Sequence, residues 1–136
     1  MAQSEDIKAR KAAVKALLEA AFTHGVGVDE KRALMARYIN PNKYIQHSAV
    51  VPDGFEGLMG LVARFDDDFG SYAVYVKRMI AEEDLVVAHC HYTYGPKDPR
   101  GKSIVEIFRF EDGLIVEHWD VIQDVPEVFA NTNGMF

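Results

Sequence analysis

Apolar positions recur with a period near 3.6 in the first half of the chain and near 2 in the second. The change falls close to residue 70. Ile7, Val14, Leu17, Leu18, Ala21 and Phe22 form one stripe of a first helix. Ser4 is a good N-cap for it, with Glu5 and Asp6 set against the helix dipole, and His24-Gly25 and Gly27 end it. A second helix begins near Asp29 and buries Leu34, Met35, Tyr38 and Ile39. It stops before Pro41, because the residue ahead of a proline disfavours helix. A short strand is expected over 43–47. Val51-Pro52-Asp53-Gly54 then turns the chain into a third helix over 55–65, weakened by Gly57 and Gly60.

The second half alternates. Strands are expected over 72–81, 85–94, 102–110 and 114–123. Glu82-Glu83-Asp84 and Glu111-Asp112-Gly113 make short turns, and Gly95 to Gly101 a longer loop. Consecutive strands joined by short turns form an antiparallel meander. Helices first and strands last is the α+β arrangement, and the length of 136 residues suits one domain, 1–136.

Alternation sorts the last two strands into faces. Glu106, Phe108 and Phe110 share one face with Val116, His118, Asp120 and Ile122. Val105, Ile107 and Arg109 share the other with Ile115, Glu117, Trp119 and Val121. Both faces are apolar, and three helices cover only one well. The second face therefore predicts a homodimer through the outer side of the sheet, since monomers rarely leave such a patch bare. The alternative cover is the segment from Val125 to Phe136 folded back over it.

Charge narrows the partners. A net charge of −6 argues against nucleic acid, which needs a basic surface to displace counterions. The start of the chain carries no apolar run of a signal peptide, and no stretch approaches membrane-spanning length. One cysteine, Cys90, builds neither an internal disulfide framework nor a multi-cysteine zinc site, and fits a small core residue in a reducing cytoplasm.

The chemistry gathers on the first face. Glu106 and Asp120 lie on hairpin-paired strands, and His118 and Asp120 are two apart, so they point the same way. Carboxyl groups among aromatic and aliphatic neighbours tend to have raised pKa values, which suits acid–base work near neutral pH. The plain alternative is a salt-bridged surface face or a self-satisfying buried pair. His47 ends the short strand and is either a loop residue or a catalytic base. Strand register turns Ala88, Cys90 and Tyr92 toward Glu106 and leaves His89 and His91 outside. That histidine pair has no third ligand at short spacing, so no metal site is expected. The sequence holds no glycine-rich phosphate loop and no nucleophile elbow.

Three stretches carry a resemblance. The first is Tyr44-Ile45-Gln46-His47 followed by Val51-Pro52-Asp53-Gly54. The second runs from Val105-Glu106-Ile107-Phe108-Arg109-Phe110 through Asp112-Gly113 to Ile115-Val116-Glu117-His118-Trp119-Asp120. The third is Asn131-Thr132-Asn133-Gly134-Met135-Phe136. Together they resemble the SnoaL-like polyketide cyclase family, and its predicted aldol-condensation subfamily, within the nuclear transport factor 2-like superfamily. The resemblance implies a cone-shaped α+β roll, with a curved, antiparallel-rich sheet and three N-terminal helices enclosing a pocket. It places Asp120 at the acid–base aspartate of the cyclases, Glu106 where ketosteroid isomerase has a neutral oxyanion-binding aspartic acid, and His47 near that enzyme's base. Leu17, Leu18 and Phe22 stand where the isomerase has a hydrogen-bonding tyrosine. Cys90 and Tyr92 stand where limonene epoxide hydrolase has arginine and aspartate.

The expectation is thus a cofactor-free acid–base enzyme acting on a small, mostly apolar carbonyl compound through an enolate. Asp120 or His47 would be the base, and Glu106 or His118 the hydrogen-bond donor to the enolate oxygen. Tyr44, Tyr92, Phe108 and Ile122 would contact the substrate. A non-catalytic binding or assembly module on the same fold is the alternative, since fold does not settle function.

Overall fold

A computed structural model describes residues 2–136, with side chains from Ser4 onward. Helices α1 (Ala2–Ala21), α2 (Val28–Met35) and α3 (Gly54–Asp68) precede the sheet strands β2 (Ala73–Glu82), β3 (Leu85–Thr93), β4 (Lys102–Glu111) and β5 (Leu114–Asp124). A two-residue strand, β1 (Ile45–Gln46), lies between α2 and α3. The sheet order is β1-β5-β4-β3-β2, with β1 parallel to β5 and the other pairs antiparallel. The result is a curved, open α+β sheet with the meander expected from the alternation. No helix among the described residues is long and apolar enough to cross a membrane.

Helix α1 starts at Ala2, so Ser4 stands inside the helix and not at its cap. Helix α2 leaves the helical path at Met35, earlier than Pro41 would require. The cause is tertiary: Tyr38 O accepts from Ile115 N at 2.8 Å, and Asn40 N donates to Ile115 O at 3.0 Å. Sheet pairing of this segment replaces the last helical turn. The expected strand over 43–47 shortens to Ile45–Gln46, paired with Glu117 and His118, and His47 N donates to His118 O at 2.9 Å.

The core lies between the helices and one face of the sheet. Val14, Leu17 and Leu18 of α1, Phe55, Met59 and Val62 of α3, and Val86, Ala88, Cys90 and Tyr92 of β3 are buried there. One residue departs from the expected faces. A β-bulge shifts the β4–β5 register from Arg109↔Glu117 to Phe110↔Ile115, which turns Ile115 into the core. Two-residue alternation had put Ile115 on the outer face.

Lys31 is fully buried at the junction of the helices. Its Nζ donates to Ala21 O at 3.2 Å, capping the C-terminus of α1, and to the Tyr72 hydroxyl at 2.5 Å. The Tyr72 hydroxyl in turn donates a hydrogen bond to Asp66 Oδ1 at 2.5 Å. Burial lowers the Lys31 pKa, against the pull of Asp66.

Candidate active site

Strand pairing brings the polar groups together. Glu106 sits directly opposite Asp120 and Phe108 opposite His118 in the β4–β5 ladder. Parallel pairing sets Gln46 beside His118. His118 Nε2 is hydrogen-bonded to Glu106 Oε2, and Tyr92 donates its hydroxyl proton to Glu106 Oε1 at 2.8 Å. Both Glu106 and His118 are buried.

Gln46 fixes which imidazole nitrogen carries a proton. Ser48 N donates to Gln46 Oε1 at 2.9 Å, which identifies that atom as the amide oxygen. The same oxygen lies 2.7 Å from His118 Nδ1, so Nδ1 is the donor there. The remaining labile proton of the pair lies between His118 Nε2 and Glu106 Oε2. Tyr92 donates to the other oxygen of Glu106, so both carboxyl oxygens are engaged.

The electrostatics agree. Burial alone would lower the His118 pKa. The Glu106 carboxylate beside it, its hydrogen bond and the Asp120 charge outweigh burial and hold His118 above the ordinary histidine value. Asp120 is raised as well, mainly by desolvation and further by the charge of Glu106, against the lowering effect of His118. The Ser48 hydroxyl beside it also lowers it in part. Ser48 Oγ is buried and makes no hydrogen bond of normal geometry, so its hold on Asp120 is weak. Burial and Glu106 push the Cys90 thiol up to about 12, so this cysteine is an inert core group. The Tyr92 hydroxyl is raised well above its usual value by burial and by Glu106, which keeps it a donor.

These groups stand in a two-lobed cleft. A deep lobe of about 60 Å³ is lined by Leu17, Leu18, Met35, Tyr44, Leu58 and Phe108, with Gln46 and His118 on its wall. An outer lobe of about 400 Å³ is lined by Phe65, Phe69, Tyr92, Tyr94, Ile104 and Ile122, with Asp98 and Lys102 at its rim. Phe22, Val51, Leu61, Glu106 and Asp120 line both lobes. The two carboxyl groups therefore mark the waist between them.

The expected residues divide as follows. Asp120, Glu106 and His118 converge, with ligand atoms within 4.8 Å of one another. Tyr44 and Phe108 line the deep lobe, and Tyr92 and Ile122 the outer one. His47 does not join them. Its ring lies on the opposite side of the sheet, stacked on Trp119 at 4.9 Å with planes 2° apart, and its Nε2 is 2.7 Å from Glu117 Oε2. The reason is alternation along β1: with Gln46 turned into the cleft, its neighbour His47 must turn out. His47 is thus corrected from candidate base to outer-face residue. Gln46 is the group that the sequence reading missed, because β1 pairs with β5 over only two residues and leaves no visible alternation.

His89 and His91 face outward as the register suggested. His89 Nε2 meets Ser103 Oγ at 3.1 Å and His91 Nε2 meets Arg100 O at 2.8 Å. Among the described residues, the donors that converge closely enough for a cation are Glu106, His118 and Asp120. An imidazole and two carboxylates suit a divalent ion, but in this arrangement Glu106 and His118 are bonded to each other.

A family model for SnoaL-like polyketide cyclases matches residues 19–128. No curated protein matches the chain. Similar solved structures include AclR, a proposed hydroxylase from Streptomyces galilaeus, at 24% identity and TM-score 0.66 over 86% of this chain and 90% of that one. IdmH, a proposed polyketide cyclase from Streptomyces antibioticus, is 21% identical with TM-score 0.63 over 85% and 93%. A proposed isomerase of the SnoaL-like family from Agrobacterium tumefaciens is 10% identical with TM-score 0.70 over 85% and 98%. At these identities the likeness is one of fold.

Proposed function

Since the chain belongs to the SnoaL-like polyketide cyclase family, we propose that it is an acid–base enzyme, needing no cofactor, that acts on a small, mostly apolar carbonyl compound through an enolate. The observation that carries this reading is the convergence of Asp120, Glu106 and His118 within 4.8 Å at the waist of an apolar cleft. Asp120 takes a proton from the carbon next to the carbonyl, and the C–H electron pair moves into the enolate. His118 Nε2–H exchanges its bond to Glu106 Oε2 for one to the enolate oxygen. Such a donor contributes on the order of 3 kcal/mol to the transition state. In an aldol closure the enolate carbon bonds to a second carbonyl carbon, whose C=O π pair moves to its oxygen and takes the proton from Asp120; in an isomerisation an enolate conjugated with a C=C bond takes that proton back at a more distant carbon. The raised pKa of Asp120 supports both halves of that cycle, since a base must also return its proton.

The test is deuterium incorporation from D₂O at the α-carbon of propiophenone, followed by proton NMR. The wild type accelerates exchange over buffer, and Asp120→Asn lowers that acceleration by about a hundredfold or more. One observation favours a second reading, a non-catalytic small-molecule-binding module: Glu106 and His118 already satisfy each other. Binding of the ketone without any exchange would select that reading.

Two further features belong to this proposal. Two copies pair through the outer sheet face, supported by the half-buried Trp119 and the exposed Val121 on β5. The protein works in the cytoplasm, supported by a single free and buried thiol.

A further inference from the structure

The acid–base reading puts the reacting carbon at the waist, within reach of Asp120. Everything attached to that carbon must then extend in one of two directions. One leads to the outer lobe of about 400 Å³, which reaches the surface at Val50 and Ile122. The other leads to the deep lobe of about 60 Å³ between α1, α2 and α3.

Away from Gln46, His118 and the two carboxyl groups, the deep lobe is apolar except for Tyr44, whose hydroxyl accepts from Gln46 Nε2 at 3.3 Å. Leu17, Leu18 and Met35 are at most 3% exposed, and the half-buried Leu58 lines the lobe from α3. The polar groups at its mouth, Gln46, His118 and Glu106, are hydrogen-bonded to one another. A polar arm entering it would lose its hydration without finding partners for most of its groups.

Volume limits the length of an apolar arm. A water needs roughly 10–15 Å³ of space measured in this way, so the lobe admits about four heavy atoms. We infer that the substrate is asymmetric about its reacting carbon, with an alkyl arm of about two to four carbons in the deep lobe and a bulkier apolar body in the outer lobe. Leu17, Met35 and Leu58 set the length of that arm. The inference rests on the acid–base reading for the position of the reacting carbon.

The experiment uses phenyl alkyl ketones from acetophenone to octanophenone, in which the group beyond the α-carbon grows from hydrogen to hexyl. Dissociation constants come from ligand-observed NMR on the full chain, and α-proton exchange is followed in parallel. Affinity rises about fourfold for each added methylene until the lobe is full, as expected for burial of one CH₂. It falls beyond an arm of about four carbons. Leu58→Ala removes three carbon atoms from the wall and moves the cut-off about two carbons longer, whereas Leu58→Phe moves it shorter. Leu17→Ala is the second enlarging variant.

Affinity that climbs steadily through the hexyl arm, absence of binding by every ketone, or a cut-off unmoved in folded Leu58→Ala and Leu17→Ala overturns the inference. The two readings fail separately. A length cut-off in binding with no α-proton exchange sinks the enzyme and keeps the lobe assignment. Exchange with no cut-off in binding keeps the enzyme and sinks the lobe assignment.

Discussion

Asp120 shows how one side chain can serve a site at the expense of the fold. Its folded pKa lies above the usual carboxylate value, chiefly through desolvation. A group with a raised folded pKa contributes stability that is fully present below its unfolded value, about 3.9, and is lost as pH rises through the folded value. Asp120→Asn removes the charge but keeps the shape. The variant should therefore melt higher than wild type at pH 8, and the gap should shrink as pH falls toward the unfolded carboxylate value and Asp120 takes up its proton. Thermal melts across that range check this, and a variant that melts lower at pH 8 contradicts the burial argument. Gln46 is the second residue of consequence. Gln46→Leu leaves the Nδ1–H of His118 and the N–H of Ser48 without their acceptor. It should cost about 1–3 kcal/mol in urea unfolding and lower kcat more than KM, because the imidazole is no longer held in one tautomer. At this scale alternation was enough to put Asp120, Glu106 and His118 on one face of the sheet. The resemblance put His47 near a catalytic base, whereas its ring lies outside the cleft, just beyond a strand that pairs with β5 over only two residues, too few for a visible pattern.

Elements were legible wherever local pattern and tertiary pairing agreed. The four meander strands and their turns follow from period-2 alternation and from the Asp112-Gly113 pair, whose φ angles of 51° and 81° suit a tight hairpin. The end of α2 and the bulge in β5 were not legible, because both are imposed by backbone bonds between Tyr38, Asn40 and Ile115 from distant parts of the chain. The glycines of α3 separate local from tertiary causes in one helix. Both reduce helix propensity, yet a Cβ on Gly57 would fall 2.1 Å from Pro52 O, whereas a Cβ on Gly60 meets nothing within 4 Å. Gly60→Ala should accordingly stabilise by about 0.5–1 kcal/mol, the usual gain for an exposed helical site. Gly57→Ala should destabilise by about 1–3 kcal/mol, since the turn at Pro52 packs against the helix and must shift. Paired urea titrations decide the matter, and equal effects at the two sites would remove the proposed role of the close approach.

At the scale of the whole molecule, the proposed pairing surface, the outer face of the sheet, lies directly behind the cleft. Ile107 and Trp119 are cross-strand partners, as are Val105 and Val121, so four apolar side chains form one patch on β4 and β5. The C-terminal segment does not remove it. Phe136 stacks instead on His91 at 4.4 Å and His89 at 5.4 Å, over β3, and Val121 stays 64% exposed. A two-fold partner laid on the patch would cover it with the same residues from a second copy. Along β5 the outward Glu117, Trp119 and Val121 alternate with the inward His118 and Asp120, so pressure on one face steadies the side chains of the other. Light scattering at micromolar concentration should give twice the 15.3 kDa chain mass. Val121→Lys should give the single-chain mass with unchanged far-ultraviolet circular dichroism, because an exposed strand residue costs the fold little. The monomeric variant should also exchange the ketone α-proton more slowly than wild type, through loss of support behind β5 and not through any change in the cleft lining. A wild type that is monomeric in solution would refute the pairing, and full activity in monomeric Val121→Lys would separate assembly from catalysis.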